Sequence, residues 1–255
     1  MDTGAQGSVL ALVGGAEWTA PAVDLDAWLL EQSGTTSVTV LPTANRVHPD
    51  MAMATARRHF ARLGGEVVEA SVLIRADAEQ PSWQERLSSA AFLYLAGGDP
   101  GYLASVLAGT PAWAGIAGAL ARGAVLAGSS AGAMVLCGRM LRPGSAATEA
   151  GLGLLGDVLV LPHHEQWPAR LGQVASVLAG EGMGGVQVLG IDECTGLVLE
   201  STGSGEGSPC RVLGAGSVTS YRLGGGAGGD GKPALVASRV ERAPTEIDGG
   251  LAGLR

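Results

Sequence analysis

A chain of 255 residues with 46% hydrophobic residues, 4% aromatics and 42 glycines can bury a core of Val, Leu and Ala, its strands closed by tight turns. Sixteen basic against 24 acidic residues give a net charge of −8, which repels polyphosphate and anionic bilayers, so neither nucleic acid nor a membrane is an expected partner. Cys137, Cys194 and Cys210 lack C-x-x-C spacing, so no disulfide framework or zinc site is expected and each reads as a small buried hydrophobe.

Along the chain, short apolar runs bounded by glycine or proline alternate with helical patterns. Met1-Asp2-Thr3-Gly4 carries no positive charge ahead of the run 9–13, which is too short for a secretory core or a bilayer span, so a cytoplasmic location is the expectation. That run ends at Gly14-Gly15. Residues 38–41 end at Pro42, a third run covers 67–73, and 91–95 and 124–127 follow. Between them, 22–32, 51–63 and 111–121 carry apolar residues at helical spacing, Pro21 and Pro111 suiting a first helical turn. Five strands with crossover helices predict an α/β fold: a doubly wound, mostly parallel sheet with helices on both faces. After Gly151 the strand runs 158–161, 186–191, 196–200 and 212–221, with a helix near 168–178, are expected to complete this sheet and add antiparallel strands at an edge. Residues 201–208 and 223–232 read as Gly/Ser-rich surface loops and 243–255 as a loosely ordered tail. No break divides residues 1–255 into more than one domain.

Gly128-Ser129-Ser130-Ala131-Gly132 reads as G-x-S-x-G, in which small residues flank a serine held in a strained strand-to-helix turn. With 42 glycines in the chain, chance alone supplies about 0.5 matches to so short a pattern, so its context decides. The match follows the apolar strand 124–127 and precedes a helical run, as the motif requires. Ser130 is therefore the candidate nucleophile, with the Ala131 N–H as an oxyanion donor; a plain helix cap is the competing reading.

Further segments follow in chain order around the Gly128–Ala133 elbow: Val13-Gly14-Gly15-Ala16-Glu17, Leu41-Pro42-Thr43-Ala44, Leu95-Ala96-Gly97-Gly98-Asp99, Pro162-His163 and Gly190-Ile191-Asp192-Glu193. As an ordered set they resemble peptidase family S51, which contains aspartyl dipeptidase and cyanophycinase and is related in fold to the class I glutamine amidotransferases. The resemblance spans about residues 8–221. It implies a serine peptidase or dipeptidase acting on small peptides, such as those with an N-terminal Asp or isoaspartyl linkage, in which Ser130 attacks, His163 is the base and Glu193 orients the imidazole. It calls for no metal or organic cofactor. Pro100 stands where the family commonly carries Gln, and His164 where it carries an aromatic residue.

The remaining candidates follow from the chain itself. A serine needs a neighbouring base, and of the four histidines, His48 in a loop and His59 on an apparent surface helix read as solvated, leaving His163 and His164 at a strand end. For the acid, Asp192 and Glu149 stand beside Glu193 as alternatives. Gly97, Gly98 and Asp99 follow a strand and could supply a second oxyanion donor or a substrate contact. Arg46 and Arg170 could bind a substrate carboxylate. A non-catalytic ligand-binding protein of the same fold, or an esterase or amidase on non-peptide substrates, are the alternative functions. A homodimer is an open expectation.

Overall fold

Consecutive side chains of a strand point to opposite faces, and the runs 9–13, 91–95 and 124–127 are apolar at every position, so they form strands buried on both sides. In a computed structural model describing residues 7–142, 144–201, 210–224 and 232–247, the elements follow in the order β1 (Ser8–Val13), α1 (Val23–Gln32), β2 (Ser37–Leu41), α2 (Pro49–Arg62), β3 (Glu66–Glu69), α3 (Arg75–Ala78), α4 (Ser82–Ser88) and β4 (Phe92–Leu95). Next come α5 (Pro100–Leu107), α6 (Pro111–Ala121), β5 (Val125–Ser129), α7 (Ala131–Leu136), β6 (Arg139–Leu141), β7 (Thr148–Ala150), β8 (Val158–Pro162) and α8 (Leu171–Gly180). The chain closes with β9 (Gln187–Ile191), β10 (Thr195–Ser201), β11 (Cys210–Gly214), β12 (Ser217–Gly224), β13 (Ala234–Arg242) and β14 (Thr245–Ile247).

The central sheet has the order β14-β11-β10-β1-β5-β4-β2-β3, with β1, β5, β4, β2 and β3 mutually parallel and β10, β11 and β14 antiparallel beyond β1. Alternate residues of each strand feed two cores. Val9, Ala11, Val13, Val38, Val40, Phe92 and Tyr94 pack against Leu25 and Leu29 of α1 and Met53 and Phe60 of α2. Leu10, Leu12, Leu41, Leu93, Leu95 and Leu126 face α4 to α7 through Leu87, Leu103, Ile116 and Val135. The fold is thus an α/β sheet with helices on both faces and antiparallel strands added late in the chain.

The C-terminal half departs from its sequence reading. β8 and β9 do not extend the central sheet; they pair in parallel within a second, four-stranded sheet of order β13-β12-β9-β8. Antiparallel β10 already occupies the free edge of β1, and the chain turns from β9 into β10 through three residues, Asp192 to Cys194, leaving β9 to pair with β12. One face of this sheet joins the common core through Val158, Val160, Leu189 and Ile191; the other packs Leu159, Leu161, Val188 and Tyr221 on Val174 and Leu178 of α8.

Smaller differences have local causes. The third run stops at Glu69, and the run 212–221 is split at Ala215-Gly216 into two strands, β11 in the central sheet and β12 in the second. The expected tail contributes β14, where Ile247 is buried against β11. The Gly/Ser-rich segments and the rest of the tail fall largely outside the described residues. His59 is not solvated: its side chain is 3% exposed and Nε2 lies 2.8 Å from Oδ2 of buried Asp26, a close contact between α2 and α1. Lone charges on the inner face of α2 are invisible to a reading that counts neighbouring arginines.

Candidate active site

In open α/β sheets a crevice forms at the carboxyl ends of strands whose following helices go to opposite faces. α1 follows β1 onto one face and α7 follows β5 onto the other; α2 and α5 do the same for β2 and β4. A cavity of about 780 Å³ opens at this edge, lined by Glu17, Ala44 to Val47, Gly97 to Asp99, Ser130 and His163.

The turn after β5 is built by close approach. Ser130 has φ 50° and ψ −107°, a conformation that costs a non-glycine residue of the order of 1–3 kcal/mol; its N–H donates to Val13 O at 2.9 Å. A Cβ on Gly128 would lie 2.6 Å from Gly132 O, and one on Gly132 would lie 2.3 Å from Leu95 O. Both outer glycines of the motif are therefore required by backbone contact, which is what separates this match from a chance one. Among the described residues, the other non-glycine positions with positive φ are Ala16, Trp18, His163 and Cys194, all in loops that meet at this crevice.

His163 follows β8 in the left-handed region, φ 51° and ψ 44°, anchored by its N–H to Gly14 O at 2.7 Å. Its ring lies against Gly15, where a Cβ would come within 2.2 Å of Cε1. Ser130 Oγ is 2.9 Å from Nε2, and Nδ1 is 2.7 Å from Glu193 Oε1. An ionised carboxylate only accepts hydrogen bonds, so Nδ1 carries the proton and Nε2 is left bare toward the serine hydroxyl. The four residues 163–166 grip the turn after β9 together: Glu165 Oε2 accepts from the Glu193 N–H at 3.1 Å, and Gln166 Nε2 donates to Glu193 Oε1 at 3.2 Å.

The alternatives lie elsewhere. His164 turns away from the serine, its Nδ1 3.2 Å from Asp192 Oδ1 and its Nε2 2.7 Å from the Tyr221 hydroxyl. Asp192 is also occupied by the Ser217 N–H and hydroxyl at 2.9 and 2.7 Å. This chain of contacts ties the His163 turn to β12, so a histidine at position 164 has partners that an aromatic ring would lack. Glu149 sits on β7, 3.8 Å from Arg142. His48 is an exposed residue at the start of α2. Arg170 lies beside the Trp167 ring, outside the cavity lining, whereas Arg46 lines it, its guanidinium over the Tyr102 ring.

Two backbone N–H groups stand at this edge of the site, those of Ala131 directly after Ser130 and of Gly98 in the cavity lining. The Ala131 N–H begins α7 and has no preceding helical turn to accept it. The Gly98 N–H follows β4 at a position where φ is 145° and a Cβ would strike Ala44 O at 2.2 Å. The neighbouring donors are taken: Gly97 N–H by Glu17 Oε1 at 2.9 Å, and Asp99 N–H by Ala44 O at 2.9 Å. The Asp99 carboxylate caps α5 through the Tyr102 N–H at 2.9 Å, which explains Pro100: proline suits the first position of a helix. Glu17 was legible in the sequence only as part of a glycine-rich loop; its place opposite Gly97 depends on the order β1-β5-β4. All three cysteines are buried. Burial pushes the Cys137 thiol up to about 12 and Cys210 to about 11. Among the described residues no cluster of His, Cys, Asp and Glu could hold a metal ion.

A parallel α/β sheet carrying a strained serine elbow at its carboxyl edge defines a serine-type hydrolase. The sequence agrees, matching the model of peptidase family S51 over residues 10–204. The chain belongs to this family and is a serine-type peptidase. It is 33% identical over 233 residues to the cyanophycinases of Synechococcus elongatus and Thermosynechococcus vestitus, covering 85% of this chain and 68% of each relative. The solved structure of a peptidase from an acI-B1 Actinobacterium is similar, with 30% identity, a TM-score of 0.72, and coverage of 94% of this chain and 98% of that one. A putative peptidase E from Listeria monocytogenes shares the fold at 19% identity and a TM-score of 0.58, covering 86% of this chain and 100% of that one.

Proposed function

We propose that the chain hydrolyses small peptides through Ser130, His163 and Glu193. The observation carrying this reading is the unbroken set of contacts from Ser130 Oγ through the imidazole to Glu193, at 2.9 and 2.7 Å. His163 Nε2 takes the hydroxyl proton as Ser130 Oγ bonds to the peptide carbon, and Glu193 holds the imidazolium in place. The Ala131 and Gly98 N–H groups receive the oxyanion. His163 then returns the proton to the leaving amine as the C–N bond breaks, and a water activated by the same ring releases the acyl group. Arg46 at the cavity mouth, with 56% of its side chain exposed and 3.8 Å from Asp99, suits a substrate carboxylate and supports Asp-containing or isoaspartyl peptides as substrates. Cyanophycin is disfavoured, because the Gly97-Gly98-Asp99 segment runs into Pro100 and α5 and offers no side-chain amide there.

Labelling with a neutral fluorophosphonate, followed by mass mapping, tests the reading. The expected result is one adduct on Ser130 that disappears in Ser130→Ala and slows at least a hundredfold in His163→Ala, with cleavage of dipeptides in a panel. No adduct under conditions that label a control hydrolase overturns it.

A further inference from the structure

The carboxylate of Glu17 sits one methyl's width from the nucleophile. A Cβ placed on Gly97 would be 2.9 Å from Glu17 Oε1 and 3.4 Å from Ser130 Cβ. The Gly97 N–H and the Ser129 hydroxyl donate to it at 2.9 and 2.7 Å. Both donors are neutral, so they fix the carboxylate without cancelling its charge, and a carboxylate has room for about four hydrogen bonds. Among the described residues no lysine or arginine pairs with Glu17, and Arg46, the cation lining the same cavity, leans on Tyr102 and Asp99 instead.

A fixed negative charge this close to the oxyanion donors works against the reaction, because the transition state gathers negative charge on the carbonyl oxygen in a partly desolvated cavity. A glutamine could satisfy the same two donors without that cost. The arrangement becomes favourable when the substrate brings a positive charge of its own. The sheet order says which half of the substrate carries it. Along the carboxyl edge, Gly15 with the His163 ring belongs to β1, Ser130 to β5, and Gly97 with the Glu17 carboxylate to β4. The imidazole must reach the leaving nitrogen, so the leaving group lies on the β1 side and the acyl residue on the β4 side.

We infer that Glu17 is a specificity-determining residue that binds a cationic nitrogen on the acyl half of the substrate, either a free α-ammonium or a cationic side chain. This rests on the proposed peptidase reading. The α-ammonium of a dipeptide and the guanidinium or ammonium of an Arg or Lys side chain offer the same charge-assisted contact, and the test separates them.

The test is protection of Ser130 from the fluorophosphonate by three serine-directed boronic acids: 1-aminoethylboronic acid, its N-acetyl form, and an N-acetylated analogue bearing a guanidinium side chain. Wild type and Glu17→Gln, which keeps an acceptor for Gly97 and a partner for Ser129, are compared. In the wild type, one of the two cationic compounds should protect ten- to hundredfold better than the neutral one, and which one does identifies the nitrogen. In Glu17→Gln that preference should vanish, and labelling by the neutral probe should rise, because the charge opposing the oxyanion is gone. Equal protection by all three compounds overturns the inference, as does a preference that persists in Glu17→Gln or a variant whose labelling and protection fall in parallel. Failure of the wild type to label at all sinks the peptidase reading itself, a separate result from labelling without charge preference.

Discussion

Replacing Gly132 by alanine puts the serine elbow under direct test. The new Cβ would lie 2.3 Å from Leu95 O and 3.0 Å from Leu95 Cβ. Carbon contacts settle near 3.5 Å, so α7 and the end of β4 must part by about 1 Å. The obstacle is a strand carbonyl paired into the central sheet, which cannot rotate away, so the overpacking cost belongs at the upper end of the usual range, about 3 kcal/mol. Alanine recovers up to ~1 kcal/mol through helix propensity. The net loss of about 2 kcal/mol corresponds to a melting point lower by roughly 4–8 °C in a chain of this length. The displacement also separates Ser130 and Ala131 on one side from Gly98 on the other, and an error of that size costs on the order of a hundredfold in rate. Calorimetry and the rate of fluorophosphonate labelling measure the two effects. Gly172→Ala is the matched control: the position is exposed near the start of α8 and a Cβ there meets nothing within 4 Å, so it should gain about 0.5–1 kcal/mol. A Gly132→Ala protein that melts and labels like the wild type would show that the elbow does not depend on contact with β4.

Glu193→Gln keeps the size of the side chain but removes the charge that stabilises the imidazolium and introduces an amide N–H that favours the wrong His163 tautomer, so labelling and turnover should fall by roughly 10²–10⁴-fold with little change in KM; a fall below tenfold refutes the orienting role. Burial raises the Asp26 carboxyl above its ordinary range, with His59 pulling it down less strongly. The folded chain therefore holds that proton to higher pH than the unfolded chain does. The contribution is fully present below about pH 4 and is lost as pH rises through the folded value. Chemical denaturation should then show Asp26→Asn gaining stability relative to wild type between pH 4 and 7, and a difference that stays flat refutes the assignment. With thiols pushed up to about 12 and 11, Cys137 and Cys210 should resist iodoacetamide at pH 8 in the native protein and react once it is denatured. Their rapid native alkylation would contradict the burial.

Local chemistry made some features of this protein legible without coordinates. Runs apolar at every position, such as Phe92–Leu95, can only be strands covered on both faces, and Pro111 marks a helix start, where the Trp113 N–H donates to the Thr110 hydroxyl at 3.3 Å. The elbow was readable because strand, turn and helix are contiguous, so their signals lie within the twelve residues from Val125 to Leu136. The short helices α3, α4 and α5 were missed because tertiary contact, rather than a long amphipathic period, holds them. The second sheet was missed because strand pairing is a competition for edges: β9 has the same apolar character whether it joins β1 or β12, and only the prior placement of β10 excludes one. The same distinction runs through the candidate site. Ser130 belongs to a local motif, whereas His163 and His164 are adjacent and chemically alike, and only the fold of the β8 turn points one at the serine and the other at Asp192 and Tyr221. Glu17 lies more than a hundred residues from Ser130 in the chain and beside it in space. Bringing those two together needs the strand order β1-β5-β4, which no residue spacing encodes, because it is set by which sheet edges remain free as the whole core packs.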